Sequence, residues 1–427
     1  MQTFQAILIF LIFIVSVVLM MTRKLPTILA LPLMAVAIAA VAGVPFIDPD
    51  ADFTIVQNVL ESGAMRMASG MTGLFFGAWF GKVLTKVGVT HTMIRKAAEL
   101  AGDKPMATAY VFLIVCSILF SASSGLGMVI LVGTIIIPIM ISTGLSPIVS
   151  GLVLLFSNAI GVTFHLGTLA VYGDALGLTM DVVTSYSWVS GIPVILVCAI
   201  MLFVFIRNDK SRAKAWAMPS AAEQTGVQNV RTIALISPLI PVVLVFAFNL
   251  PITAATMIGI ICTLILATPK KAVQVVSGAF IEGLQDASGA LALLIGIGMT
   301  LQTVLSPQVS AILSPVISAM IPSSPITYVL IFGILSPLAI YRGPLNMFGL
   351  GSGISALLVA SGMNPIAAML ALRMDSNLQA VCDPTNSHNV WVSDFTKTDV
   401  NEYTKKTILW LAASTFAGLA LASFIVF

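Results

Sequence analysis

The chain has 427 residues, of which 58% are hydrophobic and only 9% are charged. Soluble domains carry about 25% charged residues, so this composition, with a mean hydropathy of +1.06, excludes a soluble globular protein. The net charge of +3 is too small to indicate a nucleic-acid partner. The expected partner is the lipid bilayer, which acts as the solvent for most of the chain.

Ten apolar stretches predict membrane-spanning helices. In chain order they are residues 4–21, 26–45, 68–88, 147–165, 188–206, 231–248, 251–267, 287–304, 365–380 and 407–427. Two further apolar regions, 106–143 and 325–361, are interrupted by small and polar residues at 121–127 and 341–346. Each predicts two full crossings or one re-entrant hairpin, and the polar midpoints favour hairpins whose tips are buried in protein. Segment 91–103 has apolar residues at helical spacing and is typical of an interfacial helix.

Basic residues cluster near the ends of these stretches and orient the chain. They are Arg23, Lys24, Arg95, Lys96, Lys104, Arg207, Lys210, Arg212, Lys214, Arg231, Lys270 and Lys271. Placing every cluster in the cytoplasm requires five crossings on each side of a polar linker, residues 208–230, with both termini outside. The expected domains are therefore an N-terminal repeat, 1–207, and a C-terminal repeat, 231–427, in a bacterial inner membrane.

Internal similarity also indicates two repeats. An offset of 218 residues aligns Pro147 with Pro365 and Gly125 with Gly343. Because five crossings is an odd number, the repeats must have opposite orientation, as in the inverted-repeat plan of secondary transporters. The predicted fold class is an all-α membrane protein with two inverted-topology repeats, about ten transmembrane helices, two re-entrant hairpins and two broken helices.

The two helix breaks are predicted at residues 157–168 and 375–389, where polar residues interrupt the apolar pattern. Broken helices offer unpaired backbone groups and half-helix dipoles to a bound ion. Ionisable residues at membrane depth are functional candidates, so Asp375, Asp383 and His165 are predicted to couple transport to an ion. The alternatives are structural pairing of the acids or a position of the acids at the cytoplasmic edge, and a hydrogen-bonded core role for the histidine.

Other charged residues have more than one interpretation. Arg373 offers the acids of the second break a structural ion pair. Glu282 and Asp286 lie four residues apart on one helix face, which predicts either a proton relay or the solvated end of a helix. Lys82 and Lys86 are interpreted as a second solvated helix end.

The interrupted midpoints of the hairpins supply a second group of candidates. Ser123, Ser124 and Gly125 offer hydroxyl and backbone N–H groups to a carboxylate, and Arg342 offers a guanidinium that fits a carboxylate with two hydrogen bonds. The alternatives for Arg342 are an ion pair with an acid such as Asp375 and a position at the membrane interface. The predicted substrate-binding residues are Ser123, Ser124, Gly125, Asn158, Thr163, Arg342, Gly343, Asn346, Asn377, Thr385 and Asn386. If sodium is the coupling ion, it is expected near Ser157, Asn158 and Asp375.

Motifs of soluble enzymes are not found. The sequence contains no GxxxxGK[ST] loop for ATP, no GxSxG and no HExxH, the patterns of ATP hydrolysis, serine hydrolases and zinc peptidases. We therefore expect no enzymatic activity and no cofactor, and we expect an ion gradient to supply the energy.

The layout resembles the ion transporter superfamily, most closely the citrate-metal:proton symporters and gluconate permeases. The similarity covers almost the whole chain and depends on Gly102-Asp-Lys-Pro105, on Thr143-Gly-Leu-Ser-Pro147 leading into Ser157 and Asn158, and on Tyr403-Thr-Lys-Lys-Thr-Ile-Leu-Trp410. The resemblance implies two hairpins and two broken helices around the substrate, an elevator-type movement and a homodimer.

Together these features predict a secondary active transporter of a small organic anion, driven by protons or sodium. The first hairpin tip, Ser121–Gly127, lacks the charge expected of a citrate transporter, which favours a mono- or dicarboxylate over a tricarboxylate and a co-transported metal. The alternative is a sodium/proton antiporter of the same superfamily, which the buried cation Arg342 disfavours. A channel or receptor without coupling is the third possibility.

Overall fold

The computed structural model describes residues 2–22, 24–209, 230–318 and 321–427, without the side chains of Gln2, Met21 and Arg342. These residues form helices and contain no β-strand. The α-helices are α1 Gln2–Met21, α2 Thr27–Val41, α3 Gly63–Met65, α4 Ala68–Lys86, α5 Val89–Ala101, α6 Pro105–Ala122, α7 Leu126–Ser142, α8 Pro147–Thr163, α9 Leu166–Leu176, α10 Met180–Ser185, α11 Ser187–Asn208, α12 Leu239–Phe248, α13 Ile252–Ala267, α14 Ala272–Val304, α15 Pro307–Ser318, α16 Pro325–Leu335, α17 Gly351–Ala360, α18 Pro365–Cys382, α19 Ser387–Thr396 and α20 Val400–Val426. A π-helical segment, Ile55–Ser62, precedes α3, and 3₁₀ segments occupy Thr232–Ile236 and Ser336–Arg342.

Several helices meet the length and hydropathy requirements of a membrane span. Within the described residues, five helices are long and apolar enough to cross a bilayer, and the bent pair α8–α9 makes a sixth. Other predicted crossings correspond to shorter apolar helices such as α2, α12 and α13. The chain is therefore a multi-pass membrane protein, as its composition predicts.

The second half of the chain repeats the order of helices in the first. In each half, two apolar helices precede a long helix, α4 or α14, and then come an amphipathic helix, a hairpin, a broken helix and a final long helix. The all-helical architecture confirms the predicted fold class, and this order of helices is the one expected of two repeats. The predicted linker 208–230 lies almost entirely outside the described residues.

Two helical hairpins occupy the interrupted apolar regions. Hairpin 1 consists of α6 and α7, and its tip contains Gly125 with φ +119°, a backbone conformation that favours glycine. Hairpin 2 consists of α16 and α17, joined by the 3₁₀ segment and an irregular turn in which Tyr341 has φ +59°. Both interruptions were predicted from small and polar residues.

Two broken helices follow the hairpins. The first break lies at Phe164 and His165, where α8 and α9 meet at an angle of 51°. The second break spans residues 383–386, between α18 and α19. Helices α8 and α18 both begin with the proline that the repeat aligns, a position where a missing N–H has no cost.

The structure also corrects some predicted boundaries. Helix α14 begins at Ala272, fifteen residues before the predicted start at 287, because the polar residues of that stretch continue the helix and do not interrupt it. Helix α15 was not predicted, since it is short and contains Pro315. The expected interfacial helix is α5, which buries Ile94 and Ala97.

The two halves are interleaved in space. One hydrophobic core contains Leu31 of α2 together with Leu301 of α14, and the other contains Phe156 of α8 together with Leu378 of α18. Because each core takes side chains from both halves, the helix breaks of the two repeats lie side by side.

Candidate functional site

Direct hydrogen bonds join the two broken helices. The Thr163 hydroxyl, in the last turn of α8, donates to the Asn377 side-chain oxygen of α18 at 3.0 Å. The Asn377 amide donates in turn to the Ser190 carbonyl of α11 at 3.3 Å. Both Thr163 and Asn377 are buried, so the structure brings these two predicted substrate-binding residues into contact.

The buried cation at this junction is Arg373 of α18. Its guanidinium donates to the Thr163 carbonyl at 2.7 Å, to the Ser190 hydroxyl at 3.1 Å and to the Ser187 hydroxyl at 3.2 Å. The Tyr172 ring lies 5.7 Å away. All these partners are neutral, and none of the ion pairs in the described part of the chain includes Arg373. A buried guanidinium without a carboxylate partner provides a place for an anion.

Arg373 was not predicted as a binding residue. It entered the sequence argument only as a structural partner for the acids of the second break. The general rule that an ionisable residue at membrane depth is a functional candidate would have selected it. Its serine partners lie more than 180 residues earlier, so no local pattern reveals the contact.

A small cavity lies between the two breaks. Its volume is about 30 Å³, and its polar lining includes Thr163, Thr168, Tyr172, Arg373 and Ser376. The Tyr172 hydroxyl and the Ser376 hydroxyl are 2.6 Å apart across it. One water requires roughly 10–15 Å³, so this conformation has room for water and the cavity must widen to admit an organic anion.

Asp375 is the buried acid of the same helix. Its side chain is fully buried, and neither carboxylate oxygen has a hydrogen-bond partner within the described residues. It does not pair with Arg373, because residues two apart on a helix point to different sides. A carboxylate without partners in such a place requires a proton or another cation to offset its charge.

Asp383 has a different environment. One of its carboxylate oxygens accepts hydrogen bonds from the Thr385 backbone N–H at 2.9 Å and from the Thr385 hydroxyl at 2.6 Å. The other lies 3.4 Å from the Gln379 side-chain amide. These contacts stabilise the turn of the second break, which Asn386 closes as the N-cap of α19. The coupling role of Asp383 and the substrate-binding roles of Thr385 and Asn386 stay predictions.

His165 connects the first break to the tip of hairpin 1. As the N-cap of α9, its Nδ1 accepts a hydrogen bond from the Thr168 backbone N–H at 3.2 Å and lies 3.4 Å from the Ser124 hydroxyl. Because a backbone N–H can only donate, Nδ1 carries no proton in this arrangement. Ser123, the neighbour of Ser124, packs against Gly81 of α4.

Further contacts join residues near the breaks. The Asn158 amide lies 3.4 Å from the His388 ring, which also approaches the Ala380 carbonyl at 3.3 Å. The Ser157 hydroxyl donates to a carbonyl of its own helix at 2.7 Å. The sodium position expected near Ser157, Asn158 and Asp375 stays a prediction.

The polar side chain at the tip of hairpin 2 forms hydrogen bonds within the tip itself. The Asn346 amide donates to the Ala339 carbonyl at 3.1 Å, and its oxygen accepts from the Phe348 backbone N–H at 2.9 Å. A side chain at Gly343 would collide with the Leu338 carbonyl. The Arg342 side chain lies outside the described residues, so its predicted anion-binding role stays a prediction.

Each half of the chain thus contains one hairpin and one broken helix. Among solved structures, the chain is similar to the Alcanivorax borkumensis YdaH transporter, a crystal structure with an unusual topology. The TM-score is 0.65 at 14% sequence identity, over 93% of this chain and 97% of that one. No protein-family model and no curated protein matches the chain. This likeness shows that the two chains share a fold, and the narrower resemblance to citrate and gluconate transporters stays a prediction.

Proposed function

We propose that this protein is a secondary active transporter that carries a small organic anion, with protons or sodium as the coupling ion. The observation that carries the proposal is Arg373, a buried guanidinium between two helix breaks whose described partners are all neutral. A carboxylate of the substrate would supply the missing negative charge. The transporter fold supports the same conclusion.

In this proposal, Arg373 and Asp375 bind different ions. The anion binds Arg373 and the neutral groups around the cavity, among them Thr168 and Ser376. The coupling cation offsets the charge of Asp375, whose carboxylate has no described hydrogen-bond partner. Because both residues belong to α18, anion and cation occupy the same moving helix and cross together.

Two open cavities at opposite ends of α4 support alternating access. One, of about 650 Å³, reaches Ser69 and Thr72 near the start of the helix. The other, of about 410 Å³, reaches Lys82 and Lys86 near its end. We propose that an elevator-type movement of the hairpins and breaks exposes the site to each cavity in turn.

We also propose a membrane, an orientation and an oligomeric state for the transporter. The distribution of basic residues favours a bacterial inner membrane with both termini outside. The resemblance to elevator transporters favours a homodimer.

The direct test is uptake by the purified protein in proteoliposomes. Labelled acetate, succinate and citrate are offered under imposed proton and sodium gradients. We expect accumulation of at least one acid under one gradient. Anion flux that depends on neither gradient would indicate a channel. The absence of anion flux would refute the proposal.

Arg373→Lys tests the binding role within this assay. A lysine ammonium cannot reproduce the fork that reaches Thr163, Ser187 and Ser190 at once. A hydrogen bond to a charged group contributes about 1.5–3 kcal/mol, so the KM should rise by roughly tenfold to hundredfold. Arg95→Lys is the matched control, because Arg95 makes only an exposed ion pair with Glu99.

A sodium/proton antiporter is the second candidate, since the buried carboxylate of Asp375 suits a cation as well. It predicts sodium-dependent proton movement in liposomes without any organic anion. The uncompensated charge of Arg373 disfavours it, because a nearby buried cation repels sodium.

A further inference from the structure

The cavity at the end of α4 combines charged and hydroxyl groups. It lies between α4, α14 and hairpin 1. Its polar lining consists of Lys82, Thr85, Lys86, Ser123, Ser124, Thr134, Glu282 and Asp286. A volume of about 410 Å³ is typical of a small-molecule site.

Two ion pairs cross this cavity. Lys82 contacts Asp286 at 2.7 Å, and Lys86 contacts Glu282 at 2.7 Å. The side chains of Lys82 and Asp286 are 27% and 37% exposed. Partly exposed ion pairs of this kind contribute little net stability, so another carboxylate can replace Asp286 on Lys82 at small cost.

The contact between α4 and α14 does not depend on these pairs. Gly283 of α14 packs directly on the backbone of Trp79, where an added Cβ would lie 2.7 Å from the Trp79 Cα. The Trp79 indole also donates to the Val276 carbonyl at 3.1 Å. Because close packing already joins the helices, the ammonium of Lys82 is free to exchange partners.

The cavity also touches the proposed transport site. Ser124 lines it and lies 3.4 Å from His165, the residue at the first break. Asp286, the partner of Lys82, packs against Gly127 at the start of α7. An anion bound to Lys82 would therefore stand beside the hairpin tip that separates the cavity from the break.

We propose that this cavity is a second anion site, an access site at which Lys82 holds a carboxylate that displaces Asp286. The ligand is a carboxylate because it takes the place of a carboxylate on the same ammonium group. The hydroxyls of Ser123 and Ser124 then lead the anion to the first break. This inference depends on the proposed anion transport and adds the route by which the anion enters or leaves.

Two substitutions with opposite expected effects test the access site. Lys82→Gln removes the cation and should raise the KM for the transported acid about fivefold, the factor that corresponds to about 1 kcal/mol. Asp286→Asn removes the competing carboxylate and should lower the KM by up to about fivefold. Arg95→Gln is the matched control, with an expected change in KM below about twofold, because Arg95 does not line this cavity and makes an exposed ion pair with Glu99.

A merely structural ion pair gives a different pattern. Both single variants would then lower the thermal midpoint and impair uptake together, and the double exchange Lys82→Asp with Asp286→Lys would restore both. That pattern, or an unchanged KM in Lys82→Gln, would overturn the access site while wild-type uptake persists. A wild-type protein that transports none of acetate, succinate and citrate would overturn both this inference and the proposed function.

Discussion

The charged residues of α18 and the second break show how partners decide the role of a side chain. Arg373 has three neutral hydrogen-bond partners, Asp375 has none in the described residues, and Asp383 has the backbone and hydroxyl of Thr385. All three are buried. In the proposed function the first two are therefore available to an anion and a cation, and the described contacts of the third stabilise its own turn.

Asp375→Asn should abolish gradient-driven accumulation and preserve exchange of anion across the membrane. Asparagine has nearly the same shape but cannot take up a proton or balance a cation, and exchange requires no net movement of the coupling ion. The measurement compares uptake under an imposed gradient with counterflow into liposomes preloaded with the same unlabelled acid.

Asp383→Ala is the contrasting substitution. It removes three part-buried hydrogen bonds from the second break, at a cost of about 1–3 kcal/mol in the free energy of unfolding, so the thermal midpoint in detergent should fall. Asp375→Asn breaks no described hydrogen bond and should leave that midpoint near the wild-type value. Equal loss of counterflow and accumulation in Asp375→Asn would contradict the coupling role.

The sequence predicts the two helix breaks but not every charged residue that lies between them. The polar interruptions locate both breaks, and the contact between Thr163 and Asn377 confirms that they meet. The sequence does not distinguish Asp375 from Asp383, because the difference depends on the turn that brings Thr385 under the second acid. Nor does it reveal Arg373, whose serine partners become neighbours only when α11 packs on α18.

Helix α4 presents a face of glycines to the moving parts of the proposed site. Three of them, Gly73, Gly77 and Gly81, recur at four-residue spacing and so lie on one side of the helix. They face, respectively, Gly167 of α9, the ring of His165, and Ser123 at the tip of hairpin 1. Without side chains on this face, the first break and the hairpin tip approach α4 closely.

Gly73→Ala should destabilise the protein. The added Cβ would lie 2.9 Å from the Gly167 Cα, where two backbones meet and neither can yield easily. Overpacking of this kind costs about 1–3 kcal/mol, so the thermal midpoint in detergent should fall. Gly289→Ala in α14 is the control, because its Cβ would meet no atom within 4 Å and alanine is the better helix former by about 1 kcal/mol. A midpoint unchanged by Gly73→Ala would contradict the close contact.

The boundaries of the helices show where hydropathy is informative. Apolar helices such as α8 and α11 begin and end within a few residues of the predicted limits. The first half of α14 carries Glu282, Gln285 and Asp286. The hydropathy pattern therefore predicts a span that begins only at residue 287, although the helix begins at Ala272. Lys82 and Lys86 neutralise the two acids, which is a tertiary contact that no local pattern contains.

At the scale of the molecule, the two repeats depend on each other. Each core combines helices from both halves, and the proposed anion site requires α8 and α11 from the first half and α18 from the second. Because the two halves have the same order of helices, only opposite orientations place their two breaks opposite each other. The orientation is therefore as important to the site as any single residue.

Inverted orientation predicts that equivalent loops lie on opposite faces of the membrane. Thr179 and Asp399 are exposed residues at the N-caps of α10 and α20, each directly after a broken helix. With Thr179→Cys and Asp399→Cys, a membrane-impermeant maleimide should label one variant in right-side-out vesicles and the other in inside-out vesicles. The wild-type protein is the control, because its cysteines are buried or half-buried. Labelling of both variants from the same side would mean that the repeats run parallel, and the two breaks would then lack the antiparallel dipoles that a midplane site requires.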